Sequence, residues 1–260
     1  RWYLFGSNQF GGGVSNAHNG VMAYEHAYQG VEARKAYFFM GDAMVCMGSG
    51  IKAARTQEVR TSVNQCLANG EVTYGLSGHT YRLTNNLSDK NIDWAYHDNV
   101  GYIFPQNESV TLRKAKQTGA WRELEVTASD KPVTKEIFSL WVSHGTTPQH
   151  EDYCYIIMPD KPLSYFTDKK FENEIKIIVN SEQIQAISNE NKKQYAAVFY
   201  EPGEIRFAED LVVAVNKKVI IYIEKKDKQY EIAVADPLYK EQSLQLSMNG
   251  EQINIVFPSG

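Results

Sequence analysis

The sequence predicts an all-β protein, a large antiparallel β-sandwich followed by a smaller antiparallel β-sandwich domain. Short runs rich in Val, Ile, Tyr and Phe, drawing on 16 Tyr and 11 Phe, are broken by clusters of Gly, Asn, Asp and Pro. Such runs fit a pleated, half-buried surface and read as strands. No stretch sustains apolar residues at i, i+3, i+4 and i+7 between helix caps. Several runs instead alternate, as in Thr80-Tyr81-Arg82-Leu83-Thr84 and Tyr153-Cys154-Tyr155-Ile156, so one face is expected to pack on a partner sheet and the other to meet water.

The first strands are expected over 20–27, 35–40, 43–48 and 58–66, where Val21, Tyr37, Val45 and Val59 head β-branched or aromatic patterns. The runs 79–84, 92–97, 100–104, 109–116, 136–144 and 153–158 follow on the same grounds. Gly11-Gly12-Gly13 precedes the first of these and reads either as a flexible turn or as a bend where backbones approach closely. Ligand binding by the glycines is the weaker reading, because no helix start follows to cradle a phosphate. Around Pro159-Asp160-Lys161-Pro162, and again at the Lys-rich Asp168-Lys169-Lys170, the composition turns to Pro and charge. That stretch reads as a linker over 161–170 between a unit at 1–160 and a second at 171–260. The second unit repeats the pattern at 175–180, 183–187, 195–200, 211–215, 219–224, 230–234, 243–248 and 253–257, which suits a smaller sandwich.

A formal net charge of -4 with both signs interspersed offers no basic stripe for phosphates, so no nucleic acid partner is expected. No apolar run approaches the roughly 20 residues that cross a bilayer as a helix, so no membrane span is expected either. The chain opens at Arg1 without Met and stops at Pro258-Ser259-Gly260 after an apolar alternation, which reads as a fragment or processed product. The 3 cysteines, Cys46, Cys66 and Cys154, show neither a disulfide framework nor a CxxC pattern and read as small buried hydrophobes.

The 6 histidines are scattered, with no HExxH and no i, i+2 pair, and no Gly-x-Ser-x-Gly elbow accompanies them. His97-Asp98 and His144-Gly145 each follow an aromatic strand. They read as turn-holding side chains bonded to nearby backbone, with catalysis as the competing reading. His150-Glu151-Asp152 alternates faces in a strand and cannot converge on one ion. Among the 4 tryptophans, Trp94, Trp121 and Trp141 lie in strand runs and are expected in the core. Trp2 reads either as core or as an exposed indole that stacks on a pyranose ring.

Several short signatures occur in order along the chain: Phe10-Gly11-Gly12-Gly13-Val14-Ser15, Arg34-Lys35-Ala36-Tyr37-Phe38-Phe39, Cys46-Met47-Gly48-Ser49-Gly50-Ile51, Val63-Asn64-Gln65, His97-Asp98-Asn99-Val100-Gly101-Tyr102, Trp141-Val142-Ser143-His144-Gly145 and Ala235-Asp236-Pro237-Leu238. Together they resemble the β-rich C-terminal half of the family-8 polysaccharide lyases, bacterial enzymes that cut chondroitin, hyaluronan or xanthan by β-elimination. The resemblance implies that the large sandwich is part of a multi-sheet super-sandwich. It implies an acidic polysaccharide, a glycosaminoglycan, as substrate, an N-terminal helical toroid domain as the intramolecular partner, and a secreted or periplasmic bacterial parent. The segment from Trp2 to Ser15 is similar to one in which a Trp approaches bound oligosaccharide, so Trp2 is the expected substrate-binding residue. The family's proton-transfer residues lie upstream of this stretch. No catalytic residue and no metal ligand is therefore assigned here, and no cofactor is expected in this chain, although calcium is possible in the parent. The contrasting expectation is a stand-alone carbohydrate-binding β protein without lyase activity.

Overall fold

The computed structural model describes residues 8–54, 56–106 and 108–258. The first unit contains β1 (Gly11–Ser15), β2 (Gly20–Tyr28), β3 (Val31–Met40), β4 (Ala43–Ala53), β5 (Glu58–Leu67), β6 (Val72–Leu76) and β7 (His79–Arg82). It continues through β8 (Leu87–Lys90), β9 (Trp94–His97), β10 (Val100–Ile103), β11 (Val110–Gly119), β12 (Val133–Thr146) and β13 (Glu151–Pro159). After a short helix, α1 (Leu163–Thr167), come β14 (Lys176–Asn180), β15 (Ile184–Asn189), β16 (Gln194–Phe199), β17 (Gly203–Ala208) and β18 (Leu211–Val215). The chain closes with β19 (Val219–Lys226), β20 (Gln229–Ala235), β21 (Ser243–Met248) and β22 (Glu251–Val256).

These strands form four antiparallel sheets. A nine-stranded sheet has the order β1-β2-β3-β4-β13-β10-β9-β6-β7, and a four-stranded sheet β5-β12-β11-β8 covers one of its faces. The five-stranded sheet β14-β15-β16-β19-β20 covers the other face, and β17-β18-β21-β22 closes the stack. Tight hairpins set the registers. Gln29-Gly30, Ser77-Gly78, Asp98-Asn99 and Asn249-Gly250 have positive φ at both central positions, the type I′ geometry whose twist matches the strands it joins.

Three apolar cores separate the four layers. Alternate residues of β13 serve two of them: Cys154, Ile156 and Met158 face the five-stranded sheet, while Tyr153 and Tyr155 face β5-β12-β11-β8. The expected water-facing side of this strand is therefore absent. A strand covered on both faces reads as a continuous apolar run, and its alternation sorts side chains between two cores. The run at 79–84 departs the other way. All four residues of β7 are exposed, because β7 ends the nine-stranded sheet, and Tyr81 stacks on Tyr74 with centroids 5.4 Å apart.

The glycine run forms β1 itself, an edge strand. A Cβ on Gly13 would lie 2.7 Å from the Val21 carbonyl oxygen, and one on Gly12 would lie 3.5 Å from Pro237 Cα. The Gly11 amide donates to the Pro237 carbonyl at 3.0 Å, so the close approach joins the two units. The segment expected as a linker carries α1, whose Phe166 is fully buried between the nine-stranded and five-stranded sheets. Its ring packs against Tyr96 and Trp94, at 5.4 and 6.0 Å between centroids, and its outer atoms cover Gly101.

A Cβ at Gly101 would fall 1.9 Å from the Phe166 ring. Gly101→Ala is thus expected to lower stability by about 1–3 kcal/mol through overpacking. A urea titration checks this, with a shifted midpoint and unchanged slope as the expected result.

Candidate functional site

Trp2, the expected sugar contact, lies outside the described residues. The polar side chains that the fold brings together gather instead where β2 and β3 stand opposite the edge strand β5. A cleft of about 390 Å³ opens there, lined by His26, Tyr28, Lys35, Glu58, Arg60 and His144 among others. Lys35 lies on β3, in register between Tyr24 of β2 and Gly48 of β4. It is half-buried, and among the described residues no carboxylate lies within 4.0 Å of its ammonium. Arg60 is neutralised by Glu58, which also accepts the Ser143 hydroxyl at 2.5 Å. The guanidinium of Arg60 covers the Trp141 ring at 4.6 Å.

Both imidazoles of the cleft are shifted toward the neutral form. His144 is buried, with Nε2 2.8 Å from the Thr61 hydroxyl; burial, and then the Lys35 charge, bring its pKa down to about 4. His26 is lowered by the same two causes in the same order. Behind them a row of tyrosines crosses the sheet. Tyr24 stacks on Tyr37 at 6.3 Å and Tyr153 on Tyr155 at 5.7 Å, and burial pushes the Tyr37, Tyr153 and Tyr155 hydroxyls up. A cleft with one uncompensated cation and two neutral rings is suited to holding an anion. His144, at about 4, is a weak base at neutral pH and a poor match for proton transfer.

A second cleft of about 480 Å³ lies where the two units meet. Its lysines and arginine are paired, Arg34 with Glu25 at 3.4 Å, Lys52 with Glu32 at 2.8 Å and Lys218 with Glu201 at 3.4 Å, and His150 Nδ1 lies 2.8 Å from the Glu182 carboxylate. Arg34 also donates to the Glu182 carbonyl, so this cleft works as a clasp. Of His150, Glu151 and Asp152, His150 reaches Glu182 at 2.8 Å, and the exposed Asp152, its carboxyl raised by partial desolvation, borders the same small hollow.

His97 holds a turn. Its Nε2 accepts the Asn69 backbone N–H at 3.1 Å, its Nδ1 faces Cys66 Sγ at 3.8 Å, and its ring stacks on Phe138 at 4.4 Å. Cys46 and Cys154 are fully buried and Cys66 half-buried, and burial raises all three thiols. The tryptophans divide. Trp94 is core, Trp141 is half-buried under Arg60, and Trp121 is 62 % exposed on a single 3-10 turn. Trp121 departs from expectation because the residues after β11 leave the sheet and carry it away from any partner layer.

Glu108 carries no sequence signal as a short-range motif. It is 6 % exposed, accepts the Cys154 N–H at 2.7 Å, and burial beside Asp152 and Glu151 pushes it up to about 7. His144 and Glu108 give opposite pH dependences. The native state resists protonating His144, so its contribution is complete above the ordinary 6.5 and is lost as pH falls toward about 4. The native state resists ionising Glu108, so its contribution is complete below the ordinary 4.5 and is lost as pH rises through about 7. Urea midpoints across pH are expected to lose the acid-side slope in His144→Gln and the neutral-side slope in Glu108→Gln, each worth up to roughly 3 kcal/mol.

Comparison with known proteins places the chain. It is 32% identical over 252 residues to chondroitinase-AC of Pedobacter heparinus, covering 95% of this chain and 35% of that enzyme. It is 25% identical over 240 residues to a hyaluronate lyase of Staphylococcus aureus, covering 89% of this chain and 29% of the relative. A solved chondroitinase AC lyase superimposes with a TM-score of 0.89 at 28% identity, covering 97% of this chain and 38% of that one. The chain thus spans about a third of the length of the relatives it matches. Residues 1–170 match the family model described as polysaccharide lyase family 8, super-sandwich domain, and residues 176–245 match polysaccharide lyase family 8, C-terminal beta-sandwich domain. With both models matched in order, the chain belongs to polysaccharide lyase family 8.

Proposed function

We propose that this chain is the β portion of a bacterial, secreted or periplasmic enzyme that cleaves a uronic-acid-containing polysaccharide, chondroitin or hyaluronan, by β-elimination. The ordered match of both family models along the chain carries this reading, and the relatives' names, chondroitinase-AC and hyaluronate lyase, support the substrate class. In the reaction the C5 proton of the uronate is removed, the C4–O bond breaks, the leaving oxygen takes a proton, and a conjugated C4=C5 double bond remains. This portion shapes the substrate cleft, while the groups that move the proton lie upstream, in the part of the polypeptide that includes a helical toroid.

The depressed His144 and His26 and the raised tyrosine hydroxyls support that division. His144, at about 4, and the raised Tyr37 hydroxyl lie away from neutral pH, where a general acid or base is most effective, and His26 is shifted downward for the same causes as His144. The Lys35 cleft supports the substrate class, since a half-buried cation without a carboxylate partner suits an acidic polymer.

Near-ultraviolet absorbance reports the unsaturated uronate. On chondroitin, hyaluronan and xanthan the chain alone is expected to give a flat trace, and the polypeptide that also carries the upstream sequence a rising one. A rise with the chain alone would place a working site within 1–260, and a flat trace from the longer polypeptide would overturn the lyase reading.

A further inference from the structure

Tyr239 is the one aromatic residue among the described non-glycine residues with positive φ, at +55°, and it is 86% exposed. A bulky side chain is strained in this left-handed conformation, where glycine is at ease. Burial does not account for a Tyr here. The conformation is imposed by the turn around it. The buried Asp236 carboxylate accepts the N–H groups of Leu238, Lys240 and Glu241 at 2.8, 2.5 and 2.7 Å, and the Pro237 carbonyl is held by Gly11 from β1. The result is an aromatic ring fixed outward on a rigid base, and strain maintained in this way is characteristic of positions whose side chain is used.

The ring borders a groove of about 680 Å³ between the end of β20 and the end of β22, floored by Val234, Phe257 and Val256, the last 72% exposed. The charges around it are unequal. Asp236 is consumed by the turn, and Glu241 is paired with Lys217. Lys240 is exposed, with Nζ 3.1 Å from the Gln9 side-chain oxygen and, among the described residues, no carboxylate within 4.0 Å. An apolar floor, an outward ring and a free ammonium match a pyranose that carries an acidic substituent. The CH face of the sugar stacks on the ring, and the substituent turns to the cation.

We propose that this face binds sugar rings of an acidic polysaccharide, with Tyr239 stacking on a pyranose and Lys240 pairing with its carboxylate or sulfate. The inference rests on the substrate class proposed above and adds a second contact surface, on the C-terminal unit. Because Lys240 reaches Gln9, the groove adjoins the stretch that leads into β1.

Calorimetric titration of the 1–260 chain with a hyaluronan hexasaccharide, a sulfated chondroitin hexasaccharide and maltohexaose tests it. Tyr239→Gly is expected to weaken binding of both acidic ligands roughly five- to tenfold, while its melting temperature stays at or above that of the wild type. Tyr239→Phe is expected to retain affinity. Lys240→Met is expected to weaken the acidic ligands and leave maltohexaose unchanged; a larger loss for the sulfated ligand assigns the contact to sulfate, and equal losses assign it to the carboxylate. Wild-type affinity in Tyr239→Gly overturns the site, as does a Tyr239→Gly protein that melts well below the wild type, since the ring would then be structural. No binding by the wild-type chain also overturns it, whereas the absorbance assay judges the lyase reading separately.

Discussion

The rest of the structure depends on one sheet being buried on both faces. Along their middle stretches, β4 and β13 of the nine-stranded sheet have no side exposed to water, so the side chains there must fit one of two cores. Polar residues have little place there, and close packing leaves no room for a Cβ where a ring crosses the backbone. Gly48 under Tyr153 and Gly101 under Phe166 meet that requirement from opposite faces of the sheet. Polar chemistry is thereby displaced to the margin. Lys35, His26 and the Arg60–Glu58 pair sit where β2 and β3 face the edge of the smaller sheet, and this marginal position opens a cleft.

The second layer interface is stitched by neutral polar groups. The Asn180 amide donates to the Gly48 and Tyr153 carbonyls at 3.2 and 3.0 Å and accepts from Gln185 at 2.7 Å, and Gln185 accepts the Tyr200 hydroxyl at 2.8 Å. Ser49 adds a bond to the Ser181 carbonyl at 2.9 Å. Buried polar groups of this kind stabilise only when satisfied, and they discriminate against any other registration of the two sheets. Charged pairs such as Lys52–Glu32 and Lys218–Glu201 remain on the exposed rim, where solvent screens them and they contribute little.

Long strands with aromatic or β-branched alternation were readable directly, among them β2, β4, β12 and β19. The strands that escaped, β1, β6, β8 and β17, are short and interrupted by Gly or polar residues, which leaves too few aromatic or β-branched positions to show an alternation, even though β1, β6 and β17 pair with the very next strand. Strand 153–158 was found, but its two-sided burial was not, because alternation between two cores looks the same as alternation between core and water when both parities are apolar. Phe166 was hidden by the charged residues around it. The order of the signatures was enough to identify the family. The candidate clefts depend on which charges lack partners, and that property of Lys35 and Lys240 exists only in the folded arrangement.

The core between the nine-stranded and five-stranded sheets draws Phe38, Met47 and Ile156 from the first unit and Ile187, Val198 and Tyr222 from the second. Neither half can expose that surface without losing a layer of packing. A boundary that is clear along the chain is therefore no boundary in mechanical terms. A protease that nicks the connection near α1 would leave two pieces clamped by a common interior, and force applied at the ends would load this shared layer before it could peel the terminal sandwich away.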